Sequence, residues 1–321
     1  MKEFAGRIAV ITGAGSGMGR ELAVQLAREG CHLALCDVSR ENLEETRTLC
    51  GDAPKRVTVS VHLCDVGDEA SVLAFRDEAL AAHDTDRVHL LFNNAGIGGG
   101  GSFLTDPREE WERTFGVCWF GVYYCSRAFL PLLVAAEEGH LVNTSSVNGF
   151  WASIGPGIPH TAYSAAKFAV KGFTEALITD LRVNAPHVKV SLVMPGHVGT
   201  SIVLNSMKLL RGRDVREMSS EDVAAARERM KARGLPVDNV PDDEIRAAMY
   251  QQALDFRDKA PLTAAQAAEI ILDGVRAERW RILVGNDAER MDAAVREAPE
   301  EAYEPEFLQR LQDVGFLSGE R

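Results

Sequence analysis

A chain of 321 residues, 46% of them hydrophobic, can bury a large core in one big domain or two small ones. Its net charge of −12, with no basic tract, argues against nucleic acid or an anionic membrane as partner, and no apolar run approaches the ~18 residues that span a bilayer. Six cysteines without paired spacing and eight histidines without a tight cluster give neither a metal site nor a disulfide framework, and the first apolar run is too short for a signal peptide; a reduced, cytoplasmic protein is expected.

That first run, Ile8 to Ile11, is brief and β-branched and reads as a buried strand. Thr12-Gly-Ala-Gly-Ser-Gly-Met-Gly19 follows, and Glu21 to Arg28 then takes up helical spacing with Leu22, Ala23, Leu26 and Ala27 on one face. Strand, glycine-rich turn and helix in that order make a phosphate site: glycines let the backbone approach a pyrophosphate, and free amides at the helix start face its charge. The spacing is T-G-x-x-x-G-x-G, with glycines 13, 17 and 19. A second strand, His32 to Cys36, ends in Asp37, whose carboxylate can accept hydrogen bonds from both hydroxyls of an adenosine ribose.

Glu41 to Cys50 reads as a helix and Arg56 to Leu63 as a strand ending at Cys64-Asp65-Val66. Asp65 there either meets an adenine edge or merely belongs to the cap of the next helix, Glu69 to His83. Val88 to Phe92 is the fourth strand, and Asn93-Asn-Ala-Gly96 leads from it into the flexible Gly98 to Gly101. Glu109 to Ala136 reads as one long helix, with Pro131 as the expected point of bending. Leu141 to Ser146 is strand five, Thr161 to Arg182 a helix, and Val188 to Met194 strand six, closed by Pro195-Gly196. Residues 201 to 260 are charged and helix-prone, broken at Gly234, Pro236 and Pro241. Ala264 to Arg276 is helical again, Arg281 to Val284 a seventh strand, and the tail acidic helix.

This alternation predicts an α/β fold, a doubly wound parallel seven-stranded sheet with helices on both faces. The expected organisation is a single domain with its core at 5–200 and 261–285, a helical lid at 201–260 and a helical tail at 286–321. Ligands of such sheets bind at strand carboxyl ends, where Asp37, Asp65, Asn93, Ser146 and Pro195 all fall. On the sixth-strand side, Tyr163 and Lys167 lie at i and i+4 of one helix and share a face. A phenol titrates near ~10 in water, and an ammonium close by can lower that by roughly 1–3 units, which would make Tyr163 usable as a proton acceptor.

Taken together, the glycine turn, Asp37, Asp65, Asn93-Asn-Ala-Gly96, Ser146, Tyr163-x-x-x-Lys167 and Pro195-Gly-His-Val-Gly-Thr200 resemble the short-chain dehydrogenase/reductase family in its compact, NAD-dependent branch. The resemblance covers residues 7 to 200 in the family's order, with a further helix and strand near 264 to 284. It implies hydride transfer between NAD and a secondary alcohol or ketone. Tyr163 would take the alcohol proton, Lys167 would lower its pKa and hold the nicotinamide ribose, and Ser146 would hydrogen-bond the substrate oxygen. Cofactor contacts would come from Gly13, Ser16, Gly17, Met18 and Gly19 in the turn, from Asp37, and from Asp65 and Val66 at the adenine. Others would come from Asn93, Ala95 and Gly96 in the fourth-strand loop, from Tyr163 and Lys167, and from Pro195, Gly196, Val198 and Thr200. The family's oligomeric habit implies a homodimer or homotetramer.

Two departures stand out. Cys118 occupies the fifth-helix position where the family places an asparagine, and a thiol cannot both donate and accept as an amide does. The interval from Ser146 to Tyr163 is longer than usual, and its extra loop, Phe150 to Pro159, is apolar. Phe103, Phe150, Trp151, Ile154, Ile202, Leu204 and Met207 are the expected lining of a pocket for a bulky apolar substrate, aromatic, polycyclic or steroid-like; packing among themselves or against a second subunit is the alternative, above all for Trp151. Two other functions compete with a dehydrogenase. One is a dinucleotide-binding scaffold or sensor with weak turnover, which only Cys118 favours; the other is a sugar-nucleotide epimerase, which would want a different glycine spacing.

Overall fold

The computed structural model of the chain describes residues 1–52, 56–155, 158–232, 234–307 and 310. Seven strands form its sheet: β1 (Ile8–Thr12), β2 (His32–Asp37), β3 (Val59–Leu63), β4 (Leu90–Asn93), β5 (Gly139–Thr144), β6 (Val188–Pro195) and β7 (Arg281–Val284). All pairings are parallel, in the order β3-β2-β1-β4-β5-β6-β7. The strands read as unbroken apolar runs because helices cover both faces. One face carries α1 (Gly17–Glu29), α2 (Arg40–Gly51) and α10 (Ala264–Arg276), burying Leu22, Leu26, Leu43, Ile271 and Val275 against Ile11, Leu33 and Leu35. The other carries α3 (Glu69–His83), α5 (Gly121–Val134) and α6 (Thr161–Asn184), with Phe75, Phe129 and Leu177 against Val10, Leu91 and Leu141. Strand order reverses between β1 and β4, which opens a crevice at their carboxyl ends.

Residues between β6 and α10 form an inserted helical segment: α7 (Ile202–Arg211), α8 (Ser220–Ala232) and α9 (Asp242–Asp258). Two short strands outside the expected plan, Val198–Gly199 and Leu262–Thr263, pair in parallel and tie the two roots of the insertion together. The insertion has a core of its own in Val215, Met218, Val223, Ala226 and Ile245. The chain continues past β7 into α11 (Asn286–Glu297) and a 3-10 turn, Pro299–Glu301. Of the expected helical tail, residues 308, 309 and 311–321 lie outside the described residues, as do 156 and 157 of the apolar loop.

Three local differences from the sequence reading have physical causes. β3 begins at Val59 rather than Arg56, because β2 starts at His32 and its ring Nδ1 caps Thr58 N at 3.0 Å in place of a ladder bond. The long helix is interrupted at a π-turn, Gly116–Phe120, between α4 (Arg108–Phe115) and α5, while Pro131 sits inside α5. That combined helix, Arg108–Val134, is also long and apolar enough by length and composition to cross a membrane, at mean hydropathy 1.4 over its window, contrary to the reading that no run approaches that length; half of the window is buried inside the fold.

Candidate active site

The glycine turn is built for close approach. Gly13 and Gly17 have φ of 65° and 53°, which side chains rarely adopt. A methyl at Gly19 would strike the carbonyl oxygen of Gly13 and come within 2.6 Å of Asn94 Nδ2. Ser16 begins α1 in an extended conformation with no side-chain cap, so the first amides of the helix remain open to an anion. Met18 instead packs its side chain into the core beneath the turn. The turn is held from β4's end: Thr12 Oγ1 accepts from Asn94 N and Ala95 N, both at 3.0 Å, and Asn94 Nδ2 donates to Thr12 O at 3.1 Å. Asn94 Oδ1 is buried there without a partner. Open amides, glycines that no side chain could replace and this orphan acceptor fit a bound dinucleotide.

Asp37 stands at the end of β2 with Oδ2 accepting from Gly15 N and Oδ1 from Ser39 N, both at 3.0 Å. That anchors the carboxylate beside the turn. Asp65 accepts from Gly67 N at 2.9 Å and is gripped by both arms of Arg113 from α4, at 3.1 and 2.7 Å. Val66 is buried beside it against Gly121 of α5. Asn93 corrects an expectation: its amide points away from the crevice and donates to Ser126 Oγ at 3.0 Å and Asn143 Oδ1 at 2.8 Å, bracing β4 against α5 and β5. The neighbouring Asn94 does the work at the turn.

Tyr163 and Lys167 rise from the first two turns of α6, and Ser146 approaches from the end of β5. The Ser146 side chain is near enough to the phenol to pull its pKa down. Lys167 Nζ lies 5.4 Å from the Tyr163 ring centroid and donates to Thr144 O at 2.8 Å. A methyl at Gly96 would sit 3.5 Å from that Nζ and 3.7 Å from Cys118 Sγ, so Gly96, Lys167 and Cys118 meet at one spot. Burial dominates the titration here. It pushes the phenol of Tyr163 up and the ammonium of Lys167 down, and Ser146 pulls the phenol only partly back. Burial first and the nearby Cys118 second hold the phenol above its ordinary value, so the lowering expected from Lys167 does not set its direction here. His160, just before α6, stacks 4.7 Å from the Tyr163 ring, and burial pushes it down to about 4, which leaves it neutral near pH 7.

Cys118 sits on the π-turn and does more than a lone thiol was expected to do. Its Sγ donates to Ile97 O at 3.1 Å and takes a long contact from Ile97 N at 3.5 Å. Widened turns of this kind recur at functional sites because they re-aim a side chain within a helix.

Pro195 and Gly196 end β6, and Gly196 N donates to Val284 O at 3.0 Å. His197 N donates to Asp287 Oδ2 at 2.6 Å, and Val198 is buried at the root of the insertion. Thr200 reaches the glycine turn, where a methyl on Gly17 would meet its Cγ2 at 3.1 Å. From α7, Asn205 Nδ2 donates to Ser16 Oγ at 3.1 Å and Ser206 Oγ accepts from Gly98 N at 2.8 Å. The sequence reading missed Asn205, Ser206, Asn94 and Arg113. The bonds they make link residues tens of positions apart and leave no local signal.

The expected pocket lining divides. Phe150 is partly buried beside Trp119, Phe173 and Leu283, and Ile202 lies at the start of α7. Trp151 is 2% exposed, with its indole Nε1 donating to Ala302 O at 2.7 Å and its ring 5.9 Å from Phe307. It belongs to a buried cluster with Met291, Ala302 and Phe307. Leu204 and Met207 pack into the insertion's own core, whereas Leu209 and Leu210 of α7 pack against the core cluster of the sheet face that also carries Tyr163. Phe103 is 74% exposed, edge-on to Trp111, and Ile154 is also exposed.

A doubly wound sheet with a glycine-turn dinucleotide site and a Ser–Tyr–Lys cluster at its carboxyl edge defines a nucleotide-dependent oxidoreductase. The chain belongs to the short chain dehydrogenase family, whose model matches residues 7–208. The protein named oxidoreductase SadH of Mycobacterium tuberculosis is 34% identical over 296 residues, 92% of either chain. Epidermal retinol dehydrogenase 2 of Homo sapiens is 36% identical over 203 residues, 63% of each. A short chain dehydrogenase/reductase from Burkholderia phymatum, solved in complex with NAD, aligns at TM-score 0.74 and 32% identity over 95% of this chain and 98% of its own. Levodione reductase aligns at 0.66 and 26%, over 91% and 100%. A metagenomic short-chain oxidoreductase in complex with NADP aligns at 0.53 and 27%, over 78% and 92%.

Proposed function

We propose that this oxidoreductase uses NAD to interconvert a bulky, apolar secondary alcohol and its ketone. The observation that carries the reading is Lys167 Nζ 5.4 Å from the centroid of the Tyr163 ring on α6, with Ser146 at the end of β5 near enough to the phenol to act on its titration. A bound nicotinamide supplies the two-electron donor or acceptor. Tyr163 holds the proton exchanged with the substrate oxygen, and Ser146 donates to that oxygen as charge develops on it. Lys167 has three donors, of which one goes to Thr144 O, leaving two for the nicotinamide ribose. The raised pKa of Tyr163 keeps the phenol protonated at neutral pH, which suits proton donation to a ketone.

NAD is favoured over NADP because Asp37 would repel a 2′-phosphate, and the nearby cations are engaged elsewhere. Arg20 bonds Gly15 O at 2.6 Å and Glu45 at 2.6 Å, and Arg40 donates to Val61 O at 3.4 Å. A bulky substrate is supported by the packing of Leu209 and Leu210 of α7 against the same apolar cluster as Tyr163, and by the names of two relatives, a retinol dehydrogenase and levodione reductase. In this reading the chain is one domain, residues 201–260 act as a lid over the crevice, and the protein is a cytoplasmic homodimer or homotetramer.

The test is turnover with NAD and with NADP across small, aromatic and polycyclic secondary alcohols and retinol, read as reduced-nicotinamide absorbance. The reading predicts the highest kcat/KM for large apolar alcohols with NAD. A preference for NADP, or for small charged or phosphorylated alcohols, overturns the corresponding half; binding of NAD without turnover of any alcohol points to the scaffold reading.

A further inference from the structure

The loop after β5 is folded by its own polar groups. Ser146 Oγ accepts from Asn148 N at 3.1 Å. The Asn148 side chain, itself buried, spends both amide hydrogens on the loop, donating to Trp151 O at 3.0 Å and Ser153 O at 2.7 Å. Trp151 N closes the turn on Val147 O at 3.0 Å, and Ser145 Oγ donates to Lys167 O at 2.8 Å, pinning the loop's start to α6.

This small turn is then held from outside by a segment about 150 residues away in sequence. Trp151 Nε1 donates to Ala302 O, and its ring packs among Met291, Ala302 and Phe307. Ala152 N donates to Tyr303 Oη at 3.1 Å. The segment is itself fixed to the sheet, where Asp292 accepts from Arg281 of β7 at 2.9 Å and from Arg296 at 3.0 Å. Two hydrogen bonds and one buried indole thus join residues 291–307 to the loop that begins at Ser146.

We infer that residues Met291–Phe307 form a strap that sets the position of the Ser146 hydroxyl, with Asn148 and Trp151 as its positioning residues. The hydroxyl oxygen has one O–H and two lone pairs. The Asn148 N–H occupies one lone pair, and the strap keeps that N–H in place. What remains of the hydroxyl is held toward Tyr163. The inference rests on the proposed role of Ser146 toward the substrate oxygen, while the strap itself has a readout that needs no substrate.

The test uses the full chain with Trp151→Phe, which keeps the ring and loses the indole N–H, and Tyr303→Phe, which removes the acceptor for Ala152 N from an exposed ring. Backbone hydrogen exchange of residues 147–153 should quicken about five- to tenfold in each variant, the population factor of one lost hydrogen bond, with exchange in β5 unchanged. Turnover of the best alcohol should show kcat lowered by a similar factor, with NAD affinity and KM within about twofold of wild type. Unchanged loop exchange in both variants overturns the strap, and so does quickening of the loop and β5 together, which would mark general destabilisation. Quickened loop exchange with unchanged kcat overturns the positioning role. If loop exchange responds as expected and wild type turns over no alcohol, the strap stands and the alcohol reading fails.

Discussion

Gly19→Ala tests the dinucleotide site where packing leaves least room. Gly19 has no positive φ, so helix propensity alone favours alanine by about 0.8–1.0 kcal/mol in this helical position. Against that, the new methyl would overlap Gly13 O and lie 2.6 Å from Asn94 Nδ2 and 2.9 Å from Gly13 C. These are backbone atoms and a side chain with bonds of its own, so the neighbours must shift by the better part of an ångström. Overpacking typically costs about 1–3 kcal/mol, and a clash with backbone falls in the upper part of that range, about 2–3, which exceeds the propensity gain and leaves a net loss of about 1–2 kcal/mol. The atoms that move hold the glycine turn, so the loss falls on cofactor binding. At 1.4 kcal/mol per decade, the NAD Kd should weaken about 5- to 30-fold. Calorimetric titration with NAD, paired with urea unfolding, separates the two effects. Gly172→Ala, where the added methyl meets nothing within 4 Å in the interior of α6, serves as the control and should stabilise by about 0.5–1 kcal/mol without touching affinity. Binding of NAD by Gly19→Ala within twofold of wild type would refute the placement of the pyrophosphate at this turn.

Other expectations follow from the same geometry. Because burial raises the Tyr163 phenol, alcohol oxidation should climb with pH through the neutral range while ketone reduction stays flat; a plateau of oxidation below about pH 7 would show the phenol already ionised. Tyr163→Phe should cost about 10²–10⁴-fold in turnover, whereas Cys118→Ala, which removes only weak sulfur contacts to Ile97, should cost less than about tenfold; equal losses would make Cys118 part of the proton path, and a gain in Cys118→Asn would show that the missing amide is a handicap. Asp37→Ala should weaken NAD about 10- to 100-fold, the range of lost charge-assisted hydrogen bonds, and narrow discrimination against NADP, measured as the ratio of the two Kd values. His140 is buried in β5 and pushed down to about 3, below its value near ~6.5 in the unfolded chain, so it folds neutral. Protonation therefore favours unfolding: stability should be full above pH ~6.5 and fall by about 1.4 kcal/mol per unit as pH drops from there toward 3, and His140→Asn should flatten that limb of urea-unfolding curves taken at several pH values.

Elements whose signal is local were legible in the chain itself. A strand, a glycine turn and a helix occupy consecutive residues, so Gly13, Gly17 and Gly19 announce the phosphate site without reference to anything distant. Tyr163 and Lys167 share a face because helical geometry places i and i+4 together, whatever surrounds them. The alternation of apolar runs and amphipathic helices likewise determined a parallel doubly wound sheet and put Asp37, Ser146 and Pro195 at strand ends.

What each of those side chains touches was decided by tertiary structure. Trp151 and Leu209 are both apolar in sequence, yet one is buried with Ala302 and Phe307 and the other packs against the core of the sheet face, because an apolar side chain will bury against whichever apolar surface the fold presents. Asn93 and Asn94 are neighbours of identical chemistry, and strand alternation sends one behind the sheet and the other to the glycine turn. The pairing of Arg113 with Asp65 and the hold of residue 302 on residue 151 join distant parts of the chain, and no window of sequence contains both ends. The titration of Tyr163 followed the same logic: its neighbour Lys167 was visible four residues on, but the desolvation that raises the phenol comes from the fold that closes around both.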